Sequence, residues 1–497
     1  MRICHHSTSG FLVFLIVCSV LISGCATSPF PLASERPQQC IQLLQDMDAA
    51  VQGAAVKDVA DVSVRGFPYL RTNRFVSAVN GGLKENRQKR RWVHWMQQLD
   101  LEARQKEIQN LPEHVLVPLM VRPDETREAL AIRLSVCSQQ LLEYDQWQAG
   151  FYEALDASVN VPDEYSSWMR IIGLYPFAAL PVTFATSHVR ATFRDWYAAP
   201  LDDLPLEGRL MFYAPGSSTM LSKETLQGVF HEVKRNALGV PQLSDAQQLQ
   251  LVEALAPLWV QDVSGPADEI GEVVWNRSHV EVDRRHPTVY YYLSHALIKG
   301  EPFLQVNYVT WYSDRVGPRA PWMERGHLDG TTVRITLDPY GGVVMVDVMN
   351  NCGCYHLFVP RQERVRIPVA SRWNAAPFVP QWLPQPFPEQ RLALRVNSGW
   401  HQVQRLLTVD VPADAVRYAL VPYEVLERLP HSDGRTESIF NDRGIAKGSQ
   451  RIEAFLLFSM GIPEIGSMRQ RGHHAIELVG REHFDDPYLL ERNFLFK

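Results

Sequence analysis

The spacing of apolar residues changes once along this chain, and that change limits the fold more than any other feature. From Cys40 to about Trp259 the repeat is helical. In "DETREALAIRLSVCSQQLLEYDQWQAGFYEAL", Leu130, Leu134, Cys137, Leu141, Tyr144, Phe151 and Leu155 follow steps of four and three, interrupted only by Gln148, which predicts one long helix with a single buried stripe. Cys40, Leu44, Met47 and Val51 make a second stripe. Ser244 and Gln247 ahead of Leu251 and Leu255 form a capping-box pattern that starts another helix. From about Gly271 to Tyr423 the repeat is two. "TTVRITL" alternates Thr332, Arg334 and Thr336 with Val333, Ile335 and Leu337, "DPYGG" from Asp338 is turn chemistry, and "VVMVDV" follows. "PTVYYYLSHALI", "PFLQVNYVTWY" and "RLALRVNS" continue the pattern, the first two joined around Gly300. The reading is an α+β chain: an all-helical region at 40–265, an antiparallel β-sandwich or barrel-like region at 266–430, and a short mixed C-terminal segment at 431–497 with a helix in "SQRIEAFLLFSM".

The N-terminus sets the compartment. Arg2 is followed by an apolar run from Phe11 to Ile22, of signal-peptide length and too short to span a bilayer. Ile22, Ser23, Gly24 and Cys25 resemble the lipobox of bacterial lipoproteins, which implies removal of residues 1–24 and lipidation of Cys25 by a diacylglycerol and an N-acyl chain such as palmitate. Ala26 stands where an Asp resembles an inner-membrane retention signal, which favours the outer membrane. Residues 25–39 read as the lipidated cysteine and a tether with a reach on the order of 45 Å. "IIGLYPFAALPVTFATSHV" from Ile171 is the longest later apolar stretch, broken by Pro176, Pro181 and His188. It reads as core helix or packed loop, the alternative being contact with the membrane interface.

Export fixes what the cysteines can be. With Cys4 and Cys18 removed and Cys25 lipidated, Cys40, Cys137, Cys352 and Cys354 remain in an oxidising compartment. Cys352 and Cys354 are neighbours, and Cys40 and Cys137 both face the buried side of a helix, so Cys40 and Cys137 are expected to pair. The segment "NNCGCYHLF" is open to three readings. If it is extended, Cys352, Cys354 and His356 share one face, and His327 or Asp329 of "GHLDG" supplies a fourth zinc ligand. A bend at Gly353 lets the two sulfurs form a strained, reducible disulfide. Packed thiols with His356 hydrogen-bonded is the third. "GHLDG" itself otherwise reads as a turn.

The C-terminal segment gathers Arg469, Arg471, His473, His474, Arg481, His483, Asp485 and Asp486. Arg469, Arg471, His473 and Arg481 suit a phosphate or carboxylate, because guanidinium groups fork onto such oxygens; the plainer reading is salt-bridged surface. Arg87, Arg90 and Arg91 form a basic face opposite Trp92, Trp95, Met96 and Leu99, close to the tether.

The strong catalytic patterns fail: "HEVKR" from His231 lacks the second histidine of a zinc protease, and G-x-S-x-G, Walker and G-x-G-x-x-G patterns do not occur. A formal net charge of -6 argues against nucleic acid as a partner. The sequence therefore implies a membrane-anchored envelope lipoprotein with a soluble body, binding or scaffolding an envelope protein or polymer. The alternative is a metal- or thiol-dependent envelope enzyme centred on Cys352, Cys354 and His356, with zinc as the one cofactor the sequence suggests.

Overall fold

The computed structural model describes residues 36–122, 124–217, 222–369 and 376–497. The leader and Cys25, with the tether up to residue 35, lie outside the described residues.

The predicted stripes form and face each other. α1 (Gln38–Gly53) buries Cys40, Leu44, Met47 and Val51. α2 (Asn86–Asn110) buries Trp92, Met96 and Leu99 beside it. α3 (Arg127–Asp145), whose first turn is capped by the Thr126 hydroxyl, buries Leu130, Leu134, Cys137 and Leu141. Cys40 and Cys137 are joined as a disulfide with Cα atoms 5.0 Å apart. The helix expected to run through Leu155 stops at Asp145 instead. Gly150, at φ 79°, precedes a separate helix at Phe151–Ser158, so the polar residue at Gln148 marks a break and not a tolerated interruption. The region is also not all-helical, since Val62–Val64 and Phe67–Thr72 pair as a hairpin among the helices.

α4 (Ser167–Ile172) and α5 (Tyr175–Ala198) overturn the reading of the Ile171 stretch as core. Trp168, Ile171, Ile172, Leu174, Phe177, Leu180 and Phe184 are all more than half exposed, Phe184 reaching 78%. α5 is anchored by buried Ala179 in its first half and by buried Phe193 and Tyr197 toward its end. α6 (Asp245–Leu255) starts where the capping box placed it: the Ser244 hydroxyl accepts from the Gln247 N–H and the Gln247 side chain accepts from the Ser244 N–H. The C-terminal helix expected in "SQRIEAFLLFSM" is a single turn, α7 (Glu453–Leu456), then a 3-10 turn at Phe458–Met460.

The centre of the molecule is a ten-stranded sheet. Its strands are β1 (Arg209–Pro215), β2 (Leu258–Val263), β3 (Thr288–Ile298), β4 (Glu301–Arg315), β5 (Gly326–Leu337), β6 (Val343–Asn350), β7 (Leu357–Pro360), β8 (Arg391–Val396), β9 (Val403–Val409) and β10 (Val416–Pro422). They lie in the order β7-β6-β5-β4-β3-β10-β1-β2-β8-β9. The sheet is mixed, which corrects the expected antiparallel sandwich: β3–β7 form an antiparallel meander, whereas β10 runs parallel to both β3 and β1, and β8 parallel to β2. β1 and β2 come from the stretch expected to be helical, so the boundary near 265 falls within the sheet's own strands.

Local turn chemistry holds throughout the meander. Lys299 and Gly300 join β3 to β4 at φ 53° and 78°, the double left-handed conformation that a two-residue hairpin turn needs. The Asp338 carboxylate accepts from the N–H groups of Tyr340 and Gly342 to close the next turn. The alternation in β5 does not mark a wet face, however. Val333, Ile335 and Leu337 enter the main apolar core, and Thr332, Arg334 and Thr336 are buried as well. Residues of the C-terminal segment cover that second side. Arg334 forks onto Asp347 of β6 at 3.0 and 2.6 Å, and its guanidinium lies 3.6 Å from the centre of the Phe484 ring. Phe484, Leu489, Leu490 and Phe494 complete an apolar cluster with Met345, Met349 and Phe358.

Candidate functional site

The β6–β7 connection, Asn350 to His356, is a tight loop and not an extended strand. Gly353 at φ 91° and Tyr355 at φ 58° turn the chain back. The Gly353 N–H donates to the Asn350 carbonyl at 2.7 Å, and the Asn350 N–H donates to the Cys354 carbonyl at 3.0 Å. Glycine is required at 353, since a Cβ there would stand 2.3 Å from the Ala475 carbonyl oxygen. Asn351 pins the loop to the sheet: its amide donates to the Thr310 carbonyl at 3.0 Å, and its oxygen accepts from the Thr332 hydroxyl at 2.8 Å.

This turn brings the two thiols together. The Cys354 N–H donates to Cys352 Sγ at 3.4 Å. Cys352 is buried and Cys354 partly exposed, and neither is in a disulfide. The hydrogen bond from Cys354 and the nearby Arg315 guanidinium hold the Cys352 thiol below its ordinary range, although burial opposes them. Cys354, as the donor and in the same buried setting, is pushed well above it. Of the two thiols, Cys352 is therefore the one that gives up its proton first.

Below the thiols lies a buried ionic layer. Arg315, from the end of β4, forks onto Asp329 of β5 at 2.9 and 2.8 Å and donates to Glu324 at 2.7 Å. His401 donates between two carboxylates, with Nδ1 2.8 Å from Asp329 and Nε2 3.2 Å from Asp268, and its ring stacks on Tyr312 at 3.9 Å. Burial lowers the His401 pKa, but the two carboxylates outweigh it and raise the imidazole above its ordinary value. Asp268 is correspondingly held at about 2 against its own burial. Glu324 accepts from the Tyr355 hydroxyl and from the Trp400 indole.

Glu453, on α7, differs from these carboxylates. Burial and the neighbouring Glu324 and Cys352 push it up to about 8, so it is protonated at neutral pH. An acid with a raised folded pKa stabilises the fold fully only below its unfolded value, here near 4.5, and loses that contribution as pH rises to about 8. Denaturant midpoints measured across this window should decline, and Glu453→Gln should flatten the decline.

The expected zinc ligands do not converge. His356 Nε2 pairs with Asp347 at 2.9 Å, joining the Arg334 ion pair. His327, at the start of β5, meets the Val280 carbonyl at 2.7 Å, and Asp329 is committed to Arg315 and His401. "GHLDG" is the first part of β5 and not a turn. Among the described residues, no three His, Cys, Asp or Glu side chains are grouped as a metal ion requires. The two-residue period that put Cys352, Cys354 and His356 on one face fails because Gly353 and Tyr355 adopt left-handed conformations.

The expected anion cluster is likewise occupied from within. Arg471 forks onto Glu427 at 2.9 Å through both Nε and a terminal nitrogen. His473 sits between Glu164 at 3.0 Å and the Val59 carbonyl at 2.8 Å. Arg469 donates to the Pro463 carbonyl and lies 3.8 Å from Glu164, and Arg481 pairs with Asp163 at 2.7 Å. These side chains join the C-terminal segment to the helical region. Sequence reasoning singled out Cys352, Cys354 and Asp329, but it missed Asp268, Arg315, Glu324, His401 and Glu453. Their one signal was the clustering of Ser398, Gly399 and His401 in "NSGWH", whose spacing matches no catalytic pattern. Comparisons of the chain with protein-family models, curated proteins and solved structures return no match.

Proposed function

We propose that the protein is a lipid-anchored component of the bacterial cell envelope, held by Cys25 in the outer membrane, whose body binds or scaffolds another envelope protein. The observation behind this reading is the apolar platform of α4 and α5. From Ile171 to Val189 there is no Asp, Glu, Lys or Arg, and the large side chains of the first half point outward. Phe455 of α7, 84% exposed, adds to the exposed apolar surface, and the Trp168 ring meets Phe458 at 5.7 Å in an edge-on contact. Exposed apolar surface of this extent on a body of net negative charge is unfavourable in water and is characteristic of a contact face. No helix among the described residues is long and apolar enough to cross a membrane, and the platform is read as a docking face for a protein.

Two variants separate the anchor from the contact. Cys25→Ser is expected to abolish labelling by a fatty-acid analogue and to move the protein out of the membrane fraction; unchanged fractionation removes the anchor from the proposal. A triple substitution, Ile171→Ser, Phe177→Ser and Phe184→Ser, is expected to stay in the membrane fraction while losing the partner captured by cross-linking the parent protein in whole cells. Retention of the same cross-linked product would rule out the platform as the contact face.

A further inference from the structure

We propose that Cys352 and Cys354 form a redox-active dithiol that exchanges with accessible disulfides of peptides or small thiol compounds at the β6–β7 loop. This activity is independent of the anchoring and binding roles proposed above. Three observations carry it. The loop geometry turns the chain at Gly353, φ 91°, so that the Cys354 N–H reaches Cys352 Sγ at 3.4 Å, and a Cβ at 353 would meet the Ala475 carbonyl. The pair is graded in access, Cys354 partly exposed and Cys352 3% exposed. The inner sulfur accepts the Cys354 N–H at 3.4 Å, and the charge of the buried Arg315 guanidinium favours its thiolate. A cationic neighbour and backbone donors stabilise thiolate over thiol, and thiolate is the form that attacks a disulfide.

The exchange runs in two balanced steps. Cys352 gives up its own proton first and takes up that of Cys354 as Cys354 attacks one sulfur of R–S–S–R; a bond forms between Cys354 and that sulfur, the R–S–S–R bond breaks, and the first RS⁻ leaves. Cys352 then attacks Cys354 Sγ, the intramolecular disulfide forms, the mixed disulfide breaks, and the second RS⁻ leaves. The two protons of the dithiol go to the two leaving thiolates, giving two RSH. The substrate disulfide is reduced by two electrons and the protein dithiol is oxidised by two. A donor dithiol returns the pair to its starting state by the reverse exchange. Cys40 and Cys137 take no part, being already bonded within the helical region.

The probe is glutathione disulfide, applied to the mature full-length protein. The expected result is loss of two hydrogens confined to the peptide carrying Cys352 and Cys354, release of two glutathione molecules per chain, and reversal by dithiothreitol under conditions that leave Cys40–Cys137 intact. Cys352→Ser should accumulate one glutathione on Cys354, whereas Cys354→Ser should react at least tenfold more slowly. Both thiols remaining free in the parent protein, or an equally rapid adduct on Cys352 in Cys354→Ser, would overturn the proposal. A parallel measurement needs no variant. Iodoacetamide should modify the partly exposed Cys354 before the buried Cys352 in the parent protein. Modification of Cys352 first would also overturn it.

Discussion

Glu427→Ala is expected to cost about 3–5 kcal/mol of folding stability, the range for removing one partner of a buried charge pair. Glu427 is 2% exposed. It accepts from Lys106 of α2 at 2.6 Å, from Arg471 at 2.9 Å and from the Gln470 amide at 3.0 Å. Alanine would leave Arg471 without its carboxylate and Lys106 with Asp58 alone. Equilibrium urea unfolding measures the loss; a change within about 0.5 kcal/mol, the range for ordinary surface substitutions, would refute it. Replacing Arg471 and Glu427 together by Met should restore part of the loss, because the guanidinium leaves with its carboxylate and Lys106 keeps Asp58. The same site sets an acid limit. Burial alone would raise the Glu427 carboxyl, but Arg471 and Lys106 prevail and hold it at about 2. A depressed folded pKa stabilises the fold above the unfolded value, near 4.5, and the contribution disappears as pH falls toward 2. The parent protein should lose stability across that interval more steeply than Glu427→Ala.

Replacing both Cys40 and Cys137 by serine is expected to cost about 4 kcal/mol, from the chain entropy of releasing a long loop. The bridge spans 97 residues and links α1 to α3, with α2 and the hairpin at 62–72 enclosed between them. The midpoint of urea unfolding for the double variant should match that of parent protein treated with reductant, and both should fall below the untreated parent. Coincident midpoints for all three would show that the bridge contributes nothing measurable.

The disulfide was legible because it rests on local information: two helical stripes at regular spacing, each carrying one cysteine. The Lys299–Gly300 turn and the Ser244 capping box were legible for the same reason. What the sequence hid is long-range. β10 pairs with β1 through Val416 and Tyr213, and no local pattern distinguishes a strand that returns to pair in parallel from one that turns back on its neighbour. Arg334 falls on what looks like a wet face by alternation, yet it is buried because Phe484 lies over it. The candidate site divides in the same way. Cys352 and Cys354 declared themselves by adjacency, whereas His401 meets Asp268 across 133 positions, and each of those residues alone resembles ordinary loop chemistry. Of the alternatives the sequence left open, the extended one fails because Gly353 and Tyr355 bend the chain, and His356 and His327 turn instead to Asp347 and the Val280 carbonyl.

The covering of β5 and β6 by the C-terminal segment also governs when the molecule can become itself. Arg334 and the Phe484 carbonyl that receives its hydrogen bond are 150 positions apart, and Lys106 waits for Glu427 across 321. Until the distal segment arrives, the Arg334–Asp347 pair has one side open to water and the apolar cluster of Met345, Met349 and Phe358 lacks Phe484, Leu489, Leu490 and Phe494. Completion of this face of the sheet is therefore tied to the arrival of the last residues of the chain.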